Sequence, residues 1–254
     1  MPTPTPTESA RIDPTRRAPR KEPRRIRRSL WLLELYRSAL GKKYVMALTG
    51  IVLLAFVLAH MIGNFKLYVG EDEMNHYAEW LRGLMVPALP ETVFLWMMRS
   101  VLIASFVFHV HASYALSVMN RRARTVPYQS KRDYVAANFA ARTMRWSGVI
   151  VGLFVLFHLA DLTWGFANPG FERGEVYDNV VVSFSRWPVA LFYIAANIAL
   201  AYHIYHGAWS LFQSMGWNTP RFNRWRNGFA VTFAVVIGVG NVSFPIAVLG
   251  GLVR

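Results

Sequence analysis

Seven histidines occur among the 254 residues. Six of them, His60, His109, His111, His158, His203 and His206, fall within long apolar runs. Only His76 lies outside such a run. Ionisable groups inside apolar spans are expensive and usually face a bundle interior or a pathway. One such histidine would read as a side chain satisfied by a neighbouring carbonyl. Six on four segments point to a shared task, and the task that suits paired imidazoles at depth is axial ligation of a haem iron. The chain has no cysteine, so it contributes no disulfide, no thiolate ligand and no covalent c-type attachment. A haem held here is of the b type.

The elements that carry these histidines are set by composition. Hydrophobic residues make up 54% of the chain, while 28 Lys and Arg stand against 14 Asp and Glu. The charges gather in a basic N-terminal arm and a few connectors. Between them lie apolar runs at about Tyr44–Phe65, Val93–Met119, Trp146–Phe166, Trp187–Phe212 and Phe229–Val253. Each is long enough to cross about 30 Å of hydrocarbon. The expected fold is an all-α integral membrane protein, a bundle of five transmembrane helices over residues 30–254. It is preceded by a Pro/Arg-rich arm, 1–29, that lacks the apolar core of a signal peptide. Many of the 9 Trp and 17 Phe lie near the ends of the runs, as an interfacial aromatic belt requires. Residues 71–86 read as a short amphipathic surface helix, with Met74, Tyr77, Trp80, Leu81 and Leu84 at helical spacing.

The basic residues set the orientation. The N-terminal arm to Lys43 holds 12 Lys/Arg, the 120–145 connector 7 and the 216–228 connector 3, while the opposite side holds 5. That asymmetry predicts a cytoplasmic N-terminus. It also explains the net charge of +14 without nucleic acid, because basic flanks set topology and touch anionic membrane lipid.

Depth then pairs the histidines. At about 1.5 Å per residue, His60 is 16 residues from the cytoplasmic end of its span and His158 is 12 from its own. His109 and His203 lie 10 and 9 residues from the cytoplasmic ends of their spans. Two levels follow, His60 with His158 and His109 with His203, so two haems stacked across the bilayer would form an electron path. His206 shares the face of His203 and suits either a propionate contact or a structural role. His111 must point away from His109, and either of these two fills the ligand position on the second span. Arg99, near the outer end of that span, either neutralises a propionate or snorkels to the interface.

At these residues the chain resembles the single-polypeptide, five-helix cytochrome b anchor of succinate dehydrogenases and fumarate reductases. The motifs are L-T-G-I-V-L-L-A-F-V-L-A-H-M-I-G-N around His60 and F-V-F-H-V-H-A-S-Y-A-L with N-R-R-A-R after it. They continue with L-F-H-L-A-D-L-T-W-G around His158 and H-I-Y-H-G-A-W-S-L-F-Q-S-M-G-W-N from His203. The segments W-L-L-E-L-Y-R-S-A-L-G-K-K-Y and M-N-H-Y-A-E-W-L-R are also similar, so the resemblance covers residues 30–254. It implies two b-type haems, with His60, His109, His158 and His203 as ligands. It further implies a flavoprotein (FAD) subunit and an iron–sulfur subunit docked on the cytoplasmic face of a bacterial plasma membrane. A higher oligomer of the whole complex is compatible with it.

The implied function is to anchor those subunits and pass electrons from the iron–sulfur subunit to menaquinone or another quinone, as part of succinate:quinone oxidoreductase. The chain has no dinucleotide fingerprint and no cluster-binding cysteines, so it does not oxidise succinate itself. Lys42, Lys43, Arg121, Arg122, Arg124, Arg221 and Arg224 form a basic surface suited to the dock. Quinone reduction needs proton-carrying groups. The candidates are Glu73, His76 and Glu79 on the amphipathic segment, and Ser38, Lys42 and Lys43 at the inner face. Two rivals remain at this level: a haem-free structural anchor with a quinone site, and the cytochrome b anchor of another respiratory dehydrogenase.

Overall fold

The structure, a computed structural model, describes residues 31–123, 135–217 and 219–254, and no side chain is described for residues 32 and 135–142. The N-terminal arm and the middle of the 120–145 connector, Arg124 included, lie outside the described residues. Those residues are helical throughout their regular structure, with no strand among them. A short helix α1 (Trp31–Arg37) leads into α2 (Ala39–Asn64), which ends in a 3₁₀ turn at Phe65–Tyr68. Then come α3 (Glu71–Arg82), α4 (Val93–Arg122), α5 (Val135–Leu162), α6 (Val176–Ser185), α7 (Trp187–Ser214) and α8 (Pro220–Leu249).

Five of these helices are long and apolar enough to cross a membrane: α2, with the 3₁₀ turn that ends it, α4, residues Thr143–Leu162 of α5, α7 and α8. The chain is therefore a multi-pass membrane protein. In a bilayer every backbone N–H and C=O must be satisfied within the segment, which an α-helix does by itself. The helix ends follow local chemistry. The Ser38 side chain accepts from the Gly41 N–H at 2.9 Å to start α2, and Thr219 accepts from Phe222 N–H before Pro220 opens α8. The amphipathic helix predicted at 71–86 is present as α3 but ends at Arg82, which leaves Leu84 in the turns that follow. It buries Met74 and sets Tyr77 against Gly63 of α2, where an added Cβ would stand 2.8 Å from the Tyr77 ring. Helices α1 and α6 were not predicted.

The extensive helix contacts are α7 on α8, α2 on α4 and α5 on α7. The first of these relies on small residues. Ala201 faces Gly238, whose hypothetical Cβ would lie 3.0 Å from the Ala201 Cβ, and Ala208, Ala230 and Ala234 are buried. Without a hydrophobic drive between helices in lipid, close backbone approach supplies the dispersion energy of association. At the end of the bundle carrying the start of α3, polar loops are stitched together. Asn75 accepts from the Tyr177 N–H at 3.1 Å and donates to Glu175 at 2.9 Å, while Tyr177 Oη donates to the Arg254 carbonyl at 3.0 Å.

Replacing Gly238 with leucine is expected to wedge α7 from α8 and destabilise the protein by about 1–3 kcal/mol. Thermal unfolding of the purified complex should show a lower Tm, whereas Gly228→Ala, with nothing within 4 Å of the added Cβ, should leave it unchanged or slightly raised.

Candidate functional site

Four long helices each bring one histidine to a shared centre. The imidazoles of His60 on α2 and His158 on α5 have centroids 5.9 Å apart, with ring planes at 86°. Those of His109 on α4 and His203 on α7 are 6.5 Å apart at 67°. These are the two pairs that depth predicted. Phe56 stacks on His60 at 5.3 Å and Phe154 lies 5.8 Å from His158, each one helical turn before its histidine.

The helices that supply each pair do not belong to the closely packed set. Among the described residues, α2 packs on α4 and α5 on α7, but neither α2–α5 nor α4–α7 is an extensive contact. The histidines thus meet across a seam between two helix pairs. None of the four rings is fully covered by protein: His60 is exposed, and the other three are half-buried. Glycines widen the seam at the second level. A Cβ on Gly50 would stand 3.5 Å from His109 Cε1, and one on Gly148 would stand 3.3 Å from His203 Cε1.

Hydrogen bonds to neighbouring helix atoms fix which nitrogen holds the proton on three of the rings. His109 Nδ1 lies 3.2 Å from the Met46 carbonyl and 3.2 Å from Thr49 Oγ1. A carbonyl only accepts, so Nδ1 donates and Nε2 keeps its lone pair. His203 Nδ1 is 3.3 Å from Ser147 Oγ, whose own proton goes to the Met144 carbonyl at 3.1 Å, so Nδ1 donates here too. On α7, Tyr193 donates its single hydroxyl proton to Asp161 Oδ2 at 2.9 Å. The oxygen is then the acceptor for His158 Nδ1 at 3.4 Å. Three imidazoles so oriented present Nε2 as a ligand nitrogen, the arrangement that metal-bound histidines adopt.

Asp161 is fully buried and is the one acidic residue within the predicted spans. Its carboxylate takes a 2.6 Å ion pair from Arg186, a hydrogen bond from Ser183 and the Tyr193 bond. Arg186 also donates to the Ala167 carbonyl at 2.6 Å. Residues Arg186, Ser183 and Tyr193 were not among the predicted site residues. Asp161 itself carried a signal, since it follows His158 by three residues on the same helical face. Its partners come from α6, from Arg186 at the junction of α6 and α7, and from α7, which no local pattern reveals.

The remaining candidates are placed away from the two pairs. His111 hydrogen-bonds Tyr36 Oη and stacks on that ring at 5.8 Å, tying α1 to α4. His206 is buried with Nε2 3.3 Å from Thr143 Oγ1. Arg99 is exposed, its guanidinium 5.0 Å from the Trp96 ring centroid. At the basic end, Ser38 caps α2 and Lys42 is buried, donating to the Tyr36 and Arg37 carbonyls at 2.9 and 3.0 Å. Lys42 therefore does not belong to the exposed basic surface, whereas Lys43, Arg121, Arg122, Arg221 and Arg224 do. On α3, Glu73 pairs with Lys66 at 2.7 Å, and His76 and Glu79 are exposed. The Lys66 hydrogen bond, and then its charge, hold the Glu73 carboxyl below the ordinary carboxylate range. That contact is present above the ordinary range and fades as pH falls through the lowered value.

Residues 137–242 match the family described as the succinate dehydrogenase/fumarate reductase transmembrane subunit. The matched segment is less than half of the chain, and the likeness to that family is a likeness of this segment. It covers one member of each histidine pair, His158 and His203, together with Asp161, Arg186 and Tyr193. No curated protein and no solved structure matches the chain.

The two ion pairs are expected to differ sharply in worth. Asp161→Ala leaves the Arg186 guanidinium without its buried partner and should destabilise the protein by about 3–5 kcal/mol, read as a loss of Tm or of assembled complex. Glu73→Gln, at an exposed pair, should leave Tm unchanged within error.

Proposed function

We propose that this chain is the membrane anchor and electron-transfer subunit of succinate:quinone oxidoreductase, holding two b-type haems on His60/His158 and His109/His203. The observation that carries the reading is the meeting of two imidazole pairs across a seam between helices that do not pack closely on one another. With metal–imidazole bonds of about 2 Å and about 1 Å more from nitrogen to ring centre, two imidazoles on one iron stand about 6 Å apart between centroids. The observed 5.9 and 6.5 Å fit that span. The donor set fits as well: four imidazoles, no thiolate, and Nδ1 engaged so that Nε2 is free to ligate on three of the four.

Bound haem supplies a one-electron carrier, suited to exchange with an iron–sulfur subunit on one side and quinone on the other. The residues of this chain do the positioning. Met46, Thr49 and Ser147 hold the rings at one level. Tyr193, itself held by Asp161 and Arg186, holds His158 at the other. Gly50 and Gly148 keep the ring edges clear of side chains. The match over residues 137–242 supports the partners that such a subunit has in that enzyme, a flavoprotein and an iron–sulfur protein.

The charge count supports an orientation with the exposed cations Lys43, Arg121, Arg122, Arg221 and Arg224 on the cytoplasmic face of a bacterial plasma membrane, where those partners dock. Quinone, menaquinone or another, is the electron acceptor. Glu73, His76 and Glu79 at one end, and Lys43 beside the capping residues Ser38 and Lys42 at the other, are the groups near which its protons are exchanged. Arg99 and His206 lie toward the ends of their helices, where haem propionates find cations and donors.

Single replacement of each histidine in the assembled complex tests the ligand set. His60→Ala or His158→Ala should remove one b-type haem signal from the reduced-minus-oxidised spectrum, and His109→Ala or His203→Ala should remove the other. His111→Ala should keep both. Loss of a haem with His111→Ala and its retention with His109→Ala would reassign the ligand on α4.

A further inference from the structure

Arg226 of α8 is 4% exposed, and no acidic side chain among the described residues pairs with it. Its guanidinium lies 4.4 Å from the centroid of Trp209 on α7, and its Nε and Nη1 are buried without a hydrogen-bond partner. Three residues earlier, on the same face of α8, the Asn223 Oδ1 is likewise buried and unpartnered. Neither α7 nor α8 contains an acidic residue, and the ion pairs among the described residues are those of Lys66 and Arg186. A buried guanidinium without an anion is strongly unfavourable, and the imbalance is worse beside hydrocarbon than in a soluble core. A cation and an acceptor left open together call for a ligand that brings both an anion and a hydroxyl donor.

The depth of this site points to the source. Arg226 is six residues into α8, about 9 Å along the axis, from the basic end of the bundle. Trp217 and Trp225 are exposed beside it, and with Phe212 and Phe222 they form an aromatic cluster. Such rings mark the headgroup level of a bilayer. Arg221 and Arg224, both exposed, add positive charge around the opening. The anion that a membrane offers at that level is a lipid phosphate, and basic pockets between transmembrane helices take anionic headgroups. Guanidinium suits phosphate because several N–H groups converge on its oxygens.

We propose that Arg226, Trp209 and Asn223 form a binding site between α7 and α8 for an anionic phospholipid with a hydroxylated headgroup. The phosphate sits on the Arg226 guanidinium, whose other face rests on Trp209, and a headgroup hydroxyl donates to Asn223 Oδ1. The site uses none of the four paired histidines.

The test uses the whole complex, purified in mild detergent, stripped of loose lipid and re-equilibrated with mixed vesicles of phosphatidylglycerol and phosphatidylcholine. Bound lipid is then counted by native mass spectrometry. The wild type should keep one phosphatidylglycerol per copy of this chain that Arg226→Gln lacks, while Arg224→Gln, altered at an exposed cation, keeps it. Asn223→Ala should lose the preference for phosphatidylglycerol over phosphatidic acid, which has no headgroup hydroxyl. Should Arg226→Gln fail to assemble, the wild type alone decides: a tightly held lipid drawn equally from phosphatidylglycerol and phosphatidylcholine overturns the proposal. An unchanged lipid count in Arg226→Gln also overturns it. In that event a shift in one haem potential would hand the guanidinium to a haem propionate. A matching stability loss in Asp133→Asn, with lipid unchanged, would overturn it too by making Asp133 the partner.

Discussion

A bilayer has no water with which to satisfy a polar side chain, and the arrangement of this protein follows from how it keeps four imidazoles there. Each ring must find polar partners within the protein or be excluded from the span. For three of the rings the chain does this with atoms its helices already own: the Met46 carbonyl for His109, Ser147 for His203 and Tyr193 for His158. Because those acceptors claim Nδ1, the opposite nitrogen keeps its lone pair free to ligate. The packing obeys the same requirement, with close contact inside each helix pair, α2 with α4 and α5 with α7, and a loose approach where the imidazoles meet.

The two levels are held differently. At the His109/His203 level the support is local, since Thr49, Met46 and Ser147 belong to the helices that flank the pair. At the His60/His158 level it extends outward through Tyr193 to a buried carboxylate that is balanced by Arg186. That carboxylate joins α5, α6 and α7 at one end of the bundle, so the orientation of His158 and the docking of α6 are mechanically linked. A buried ion pair of this kind is weak evidence for net stability, but losing one partner is severe. The network therefore acts mainly as a constraint on geometry.

Much of this was legible in the sequence. Five apolar runs marked the spans, and the structure extends three of them by more than a turn at their N-terminal ends, as with Ala39–Lys43 and Pro220–Gly228, while ending two of them early, at Leu162 and Leu249. Counting residues from the span ends placed His60 with His158 and His109 with His203, because helical rise converts sequence into depth with little ambiguity. Helix α6 escaped because a ten-residue segment with a short Val180–Val182 run is too short to span and too apolar to read as amphipathic. The Asp161 partners escaped because Arg186 is 25 residues away, and only tertiary structure brings it back. The role of Lys42 was misjudged for a similar reason. A lysine beside a basic arm looks exposed, but here it turns inward to cap the carbonyls at the end of α1.

The central claim, two bis-histidine haems within one chain, is tested most directly by the dithionite-reduced minus oxidised spectrum of the purified complex, with haem quantified per copy of this subunit. The account predicts two b-type haems per chain, both with the low-spin signature of two nitrogen ligands. A fully assembled complex that reduces quinone with no haem present would contradict it and leave the histidine pairs as packing residues of an anchor.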